Sequence, residues 1–231
     1  MIKHINQISE EAFLLDFGSN IDIKTNSFVN DYANFILNDL INIKKLGIQN
    51  CVPSYNKILL EFNPTLNNKK KILNYINNIK IKKTKNKNIK QIEIPICYDE
   101  EYALDLNEIA LKTKLSKEKI IDIHQKTIFH VYMIGFMPGL PFMGNMDELL
   151  LLPRKKSPRV RIIKGSVGIV NNLCVIYPND SPGGWNIIGR TPINLFLKSK
   201  KDPLLLKPGQ KVKFKSIDKI TFKNFKFLNN D

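Results

Sequence analysis

The sequence predicts an α+β protein: a small N-terminal α/β domain followed by a domain built mainly of β-strands. Three observations carry that expectation. Strand-like and helix-like apolar spacings alternate over the first 81 residues. A dense basic run then interrupts them at 80–90. Beyond residue 128 the texture changes, with eight of the eleven glycines and seven of the twelve prolines lying between Gly135 and Pro192. Short apolar runs separated by Gly/Pro turns are the mark of a barrel or sandwich. We therefore place an α/β domain over 1–85 and a β domain over 90–231.

AFLLDFG (12–18) reads as a strand ending in glycine. In NSFVNDYANFILNDLINIKKLGI (26–48), the residues Phe28, Val29, Tyr32, Phe35, Ile36, Leu40 and Ile43 keep helical spacing up to the stop at Gly47. CVPSYNKILLEFN (51–63) reads as strand, turn and strand, and NNKKKILNYINNIKI (67–81) as a second helix. Two helices on one sheet face make a ferredoxin-like layer. The run KIKKTKNKNIK (80–90) reads as a solvated connector.

KQIEIPICY (90–98) alternates as a strand, and 105–127 reads as a helical pair, with Ser116 capping the second helix. The pair resembles a helix-turn-helix. Its second helix starts SKEKI, with Glu118 and Asp122 exposed and no arginine, which argues against base reading. A pair covering the mouth of the β domain is the better expectation. The tail LLLKPGQKVKFKSI (204–217) turns at Pro-Gly and continues as a strand.

The 36 Lys and Arg against 21 Asp and Glu make a formal charge of +15. Residues 131–231 hold 17 basic and 6 acidic residues, spread along the chain and not clustered as a phosphate-binding face would be. A nucleic-acid partner is therefore not expected. The three scattered cysteines exclude a disulfide scaffold and suit a reducing cytosol. The longest apolar stretch, 129–144, is too short to span a bilayer, and the N-terminus lacks a signal peptide's apolar core. A cytoplasmic protein is expected.

P-loop, GxGxxG, nucleophile-elbow and zinc-ligand patterns are all missing, so no metal site is expected. The arginines are more informative. There are only four, Arg154, Arg159, Arg161 and Arg190, against 32 lysines. In a lysine-rich chain, arginine marks places that need a planar bidentate donor, for a ligand or for a structural salt bridge. Arg154 and Arg159 flank Ser157-Pro158 and can converge on a carboxylate or phosphate. Gly183 and Gly184 allow close backbone approach, and Trp185 offers a pocket wall or a core anchor. His124, closing its helix just before the β region, is a candidate acid or base, or a helix-dipole partner. His130, inside FHVYM, reads as a core histidine.

GFMPGLPFMG, PRKKSPRVRIIKGSVGIV and YPNDSPGGWNIIGRTPINLF resemble the signature of one family. Its members include the B-type subunit of prokaryotic 5-oxoprolinase (PxpB), the kinase inhibitor KipI, and subunit 1 of allophanate hydrolase and urea carboxylase assemblies. The likeness extends to VPSYNKILLEF, IEIPICYD and LSKEKIIDIH. Leu140 and Phe142 stand where the pattern leads one to expect Phe and Tyr. The resemblance implies a C-terminal cyclophilin-like β-barrel. It also implies association with a KipA-like and a LamB/YcsF-like protein to convert 5-oxo-L-proline to L-glutamate with ATP and Mg²⁺. A component of this kind is expected to be inactive alone. Opening a lactam needs anion-binding donors, for which Arg154, Arg159, Arg190 and the Gly183-Gly184 backbone are the candidates. His124 is the candidate for proton transfer, with Ser166 and Tyr177 as further hydrogen-bonding groups. Within the same family, the alternatives are a KipI-like inhibitor of a sensor histidine kinase and an allophanate hydrolase or urea carboxylase-type component.

Overall fold

The computed structural model describes residues 2–66, 68–81 and 90–225. The chain separates into two compact units, Met1–Asn88 and Ile89–Asp231. Most of the expected connector, residues 82–89, lies outside the described residues.

The N-terminal unit runs β1 (His4–Ser9), β2 (Ala12–Asp16), α1 (Ile23–Asn38), α2 (Leu40–Leu46), β3 (Ile48–Pro53), β4 (Lys57–Phe62) and α3 (Lys69–Asn78). Its sheet has the order β1-β2-β4-β3, with every pair antiparallel. Alternation along β2 and β4 turns Phe13, Leu15, Ile58, Leu60 and Phe62 into one core with Val29, Ile36, Ile72 and Ile76 of the helices. The Tyr32 hydroxyl donates to the Ile76 carbonyl at 2.6 Å, tying α1 to α3.

Two details differ from the sequence expectation. A ferredoxin-like layer runs β-α-β-β-α-β, whereas this unit starts with two strands and ends on a helix, its edge strand beside β2 coming from the N-terminus. The long helix expected over 26–48 is two helices. The chain breaks at Asp39 (φ −87°, ψ 65°), whose carboxylate accepts from the Asn42 backbone N–H and so starts α2. Gly47 ends α2 in the left-handed conformation at φ 66°, where other residues are strained.

The C-terminal unit contains β5 (Gln91–Ile96), α4 (Leu106–Thr113), α5 (Lys117–Lys126), β6 (Phe129–Ile134), β7 (Pro141–Gly144), β8 (Arg159–Ile162), β9 (Ser166–Val170), β10 (Leu173–Ile176), β11 (Ser181–Gly183), β12 (Asn186–Arg190), β13 (Lys211–Ser216) and α6 (Lys219–Phe225). Seven strands form one sheet in the order β12-β9-β10-β7-β6-β13-β5. β5 and β13 run parallel, whereas the other neighbours in this sheet are antiparallel. The two end strands nearly close on each other. Cys97, just past β5, exchanges both backbone hydrogen bonds with Arg190 of β12, at 2.8 and 3.0 Å. The expected barrel is thus present, with few open edges.

The barrel interior is filled by Ile94, Ile96, Phe129, Val131, Met143, Val167, Ile169, Ile176, Val212 and Phe214. Leu106 and Ile109 of α4 and Ile120 and Ile123 of α5 join the same core, so the helical pair spends its apolar face on the barrel. A second cluster forms on the outward faces of β9, β10 and β12. Val170, Val175, Tyr177, Trp185 and Ile187 pack there with Leu140 and with Ile162 of β8. The short β8–β11 sheet brings its own strands to that face.

Candidate functional site

The three Gly/Pro-rich segments meet in this outer cluster. Met137, Leu140 and Phe142 come from GFMPGLPFMG (135–144), Ile162 and Val170 from PRKKSPRVRIIKGSVGIV (153–170), and Tyr177, Trp185 and Ile187 from YPNDSPGGWNIIGRTPINLF (177–196). Phe136, at the tip of the first segment, has φ 68° and is 77% exposed, an uncommon backbone state for a bulky residue. The Phe142 and Trp185 rings lie 6.1 Å apart. Over Trp185 sits the guanidinium of Arg154, 5.5 Å from the ring centroid, in cation–π contact.

The four arginines have different fates. Arg159 donates two hydrogen bonds to Asp105, at 2.8 and 2.6 Å, and so serves a structural salt bridge where an anion-binding role was expected. Exposed Arg161 pairs with Asp180 at 2.7 Å. The Arg190 Nε donates to the Lys164 carbonyl at 2.8 Å, and its guanidinium lies over Tyr102 and Phe222. Arg154 is exposed and, among the described residues, has no carboxylate or carbonyl partner. Its donors therefore face solvent beside an aromatic wall.

Tyr177 lies under this surface. Burial pushes its hydroxyl up to about 12, with Arg154 pulling the other way. A Cβ on Gly183 would fall 2.3 Å from the Tyr177 Oη, so close approach at this position requires glycine. Gly184 differs: a Cβ there would meet nothing nearer than 3.6 Å, and its carbonyl accepts from the Lys155 backbone N–H at 2.9 Å. Ser166, at the start of β9, is 4% exposed; its carbonyl accepts from the Tyr177 N–H. Ser166 pairs with Arg190, not with Arg154.

His124 does not project towards the barrel mouth. It is fully buried on α5, stacked on Phe214 with centroids 4.5 Å apart. Its Nδ1 is hydrogen-bonded to the Tyr98 hydroxyl at 2.7 Å, and Cys174 Sγ lies 3.8 Å from Nε2. Desolvation depresses its pKa to about 3, so the ring is neutral at physiological pH. The α5 register that buries Ile120 and Ile123 one turn apart also carries His124 into the core.

Sequence reasoning passed over the most connected polar group in this unit. Asp105 is 2% exposed and occupies the N-cap of α4, yet its carboxylate makes no cap bond. It accepts instead from Arg159 twice, from Lys155 Nζ at 2.7 Å and from the Ile187 backbone N–H at 2.7 Å. Desolvation raises its pKa, but these hydrogen bonds outweigh it and hold the carboxyl below the usual range. The available signal was an aspartate before a helix, and that pattern predicts only a cap.

The C-terminal unit thus joins a nearly closed seven-stranded barrel to an arginine held over a tryptophan on its outer wall. Residues 3–206 match the family model described as carboxyltransferase domain, subdomain C and D. A 5-oxoprolinase B-type subunit from Bacillus subtilis (strain 168) is 33% identical over 240 aligned residues, covering 98% of both chains. The chain therefore belongs to the family of 5-oxoprolinase B-type subunits. A crystal structure of TTHA0988 superimposes with a TM-score of 0.79 at 31% identity, over 89% of this chain and 40% of that longer one. The Kluyveromyces lactis urea carboxylase shares the fold, with a TM-score of 0.73 at 19% identity, over 95% of this chain and 22% of that enzyme.

Proposed function

We propose that the chain works as the B-type component of an ATP-dependent complex that hydrolyses 5-oxo-L-proline to L-glutamate, and that Arg154 receives the substrate carboxylate against Trp185. The name of the Bacillus relative supports the first part. Arg154 carries the second: it is the arginine whose guanidinium is neither paired with an acid nor turned to a carbonyl among the described residues. A guanidinium meets a carboxylate with two parallel hydrogen bonds, while the Trp185 and Phe142 rings suit the apolar edge of a five-membered lactam.

Phosphorylation of the lactam oxygen by ATP supplies the activation for ring opening. Among the described residues, no three His, Cys, Asp or Glu side chains are grouped to hold a metal ion. ATP and Mg²⁺ are bound by the complex as a whole, and His124, sealed in the core, takes no part in proton transfer. The expected partners are a KipA-like and a LamB/YcsF-like protein.

The test is reconstitution. The chain alone is expected to release no glutamate, while the chain with both partners forms glutamate and ADP together from 5-oxo-L-proline. Arg154→Ala in that complex should raise KM for 5-oxo-L-proline about 10- to 100-fold, the loss of a charge-assisted pair. A reconstituted complex without 5-oxoproline-dependent ATP turnover overturns the enzyme reading in favour of a binding role such as kinase inhibition. A wild-type KM in Arg154→Ala removes Arg154 from the site.

A further inference from the structure

The Asp105 carboxylate touches both halves of the Arg154–Trp185 pair through their chain neighbours. On one side it binds Lys155, the residue after Arg154, and Arg159 at the far end of the same loop. On the other it accepts from the N–H of Ile187, two residues after Trp185. Its own backbone N–H donates to the Ile187 carbonyl at 2.9 Å, so Asp105 takes both backbone groups of that residue. Two further bonds tie the loop to the residues on either side of Trp185. The Lys155 N–H donates to the Gly184 carbonyl at 2.9 Å, and Asn186 Nδ2 donates to the Pro153 carbonyl at 3.0 Å. Arg154 is thus bracketed between two anchored residues, while its own side chain stays exposed.

Four donors meet on one buried carboxylate that forgoes its helix-capping bond, and one of them, Lys155 Nζ, also donates to Glu108 of α4 at 2.5 Å. An aspartate needed only to start α4 would keep that bond, and a loop needed only to cover the barrel would not require charged hydrogen bonds at 2.6–2.8 Å. We infer that Asp105 is a positioning residue that sets the register between Arg154 and Trp185, and thereby the geometry with which the site meets a carboxylate. The carboxylate clause rests on the proposed function; the register itself does not.

Trp185 is the only tryptophan of the chain, so its emission reports the stacking directly, without ligand or partner proteins. Arg154→Ala should change the Trp185 emission of the full chain by removing the guanidinium from the ring. Asp105→Asn should produce a change of the same sign, and adding it to Arg154→Ala should change nothing further. Ile109→Val, a core change on the same helix, should leave the emission as wild type even where it lowers the melting temperature. If Asp105→Asn does not fold, Lys155→Met serves instead, because it keeps the Asp105–Arg159 pair and the Lys155 backbone bond while removing the side-chain anchor that joins the residue beside Arg154 to Asp105 and Glu108. Wild-type emission in the folded variant, or a change that adds in full to that of Arg154→Ala, overturns the inference.

A second arm measures KM for 5-oxo-L-proline in the reconstituted complex. Asp105→Asn should raise it to within about threefold of the Arg154→Ala value, with the double variant no worse than either. Effects that multiply in the double variant overturn the coupling. A KM that Arg154→Ala does not move refutes the carboxylate reading alone, and the emission arm then decides the register.

Discussion

The His124 ring is sealed among Phe214, Phe129 and Cys174, and its hydrogen bond to Tyr98 satisfies Nδ1 without solvent. A histidine that stays neutral down to a pKa of about 3 makes the fold acid-sensitive in a calculable direction. The unfolded chain takes up a proton near the ordinary histidine pKa of about 6.5, and the native ring does not. The stability from His124 is therefore complete above that value and declines as pH falls towards 3, by up to about 1.4 kcal/mol per pH unit. Denaturant unfolding of the C-terminal unit at pH 7, 5 and 4 should show this slope. His124→Gln, which keeps an acceptor for Tyr98, should lower it. His130, depressed to about 4 by burial and by Lys211, leaves a second component of the same sign. An unchanged slope in the variant would mean that another group titrates there.

At the scale of elements, the end of β11 shows how two adjacent glycines differ. Gly183→Ala places a methyl group 2.3 Å from the Tyr177 Oη and 2.8 Å from Ile162 Cδ1, and must shift side chains of the cluster that holds Trp185. A cost of about 1–3 kcal/mol is expected, together with altered Trp185 emission. Gly184→Ala meets ordinary contacts and should leave both stability and emission close to wild type. Equal effects in the two variants would show that the backbone, and not the contact with Tyr177 and Ile162, sets the requirement. Element boundaries follow a similar logic. The spacing over 26–48 is continuous in apolar content, but Asp39 binds the backbone of its successors and divides it into α1 and α2. β1, largely exposed along its length, has almost no alternation by which it could be recognised.

For the whole molecule, the two units should respond differently to acid. The buried histidines His124 and His130 both belong to the C-terminal unit. Asp105 adds a second phase there: its depressed pKa gives stability that is present above the ordinary carboxyl value of 3.8 and lost as pH falls through the folded value. In the N-terminal unit, the carboxyls of Asp16, Asp22 and Asp39 are held low by their hydrogen bonds and act only in that lower range. Between about pH 6.5 and 4, native-state hydrogen exchange should therefore show the barrel weakening while the N-terminal sheet keeps its protection. Simultaneous loss in both units would contradict this account. The +15 charge plays little part in it, because the lysines are dispersed and the barrel's most buried ion pairs, those of Lys155 and Arg159, converge on Asp105.

Composition, periodicity and turn residues were enough to determine an α+β chain with a β-rich C-terminal half, a helical pair packed on it, and a Gly/Pro-rich stretch that holds all four arginines. These are properties of neighbouring residues, and their physics acts over a few positions. The partners of a side chain do not arise that way. Asp105 meets Arg159 across 54 positions and the Ile187 N–H across 82, so no local pattern could separate the arginine spent on a buried carboxylate from the one left facing solvent. The same holds for His124, whose helical position was legible but whose side of the helix was not. The scarcity of arginine marked the right stretch of sequence; tertiary contacts decided that Arg159 goes to Asp105 and Arg190 to the Lys164 carbonyl, while Arg154 stands exposed over Trp185.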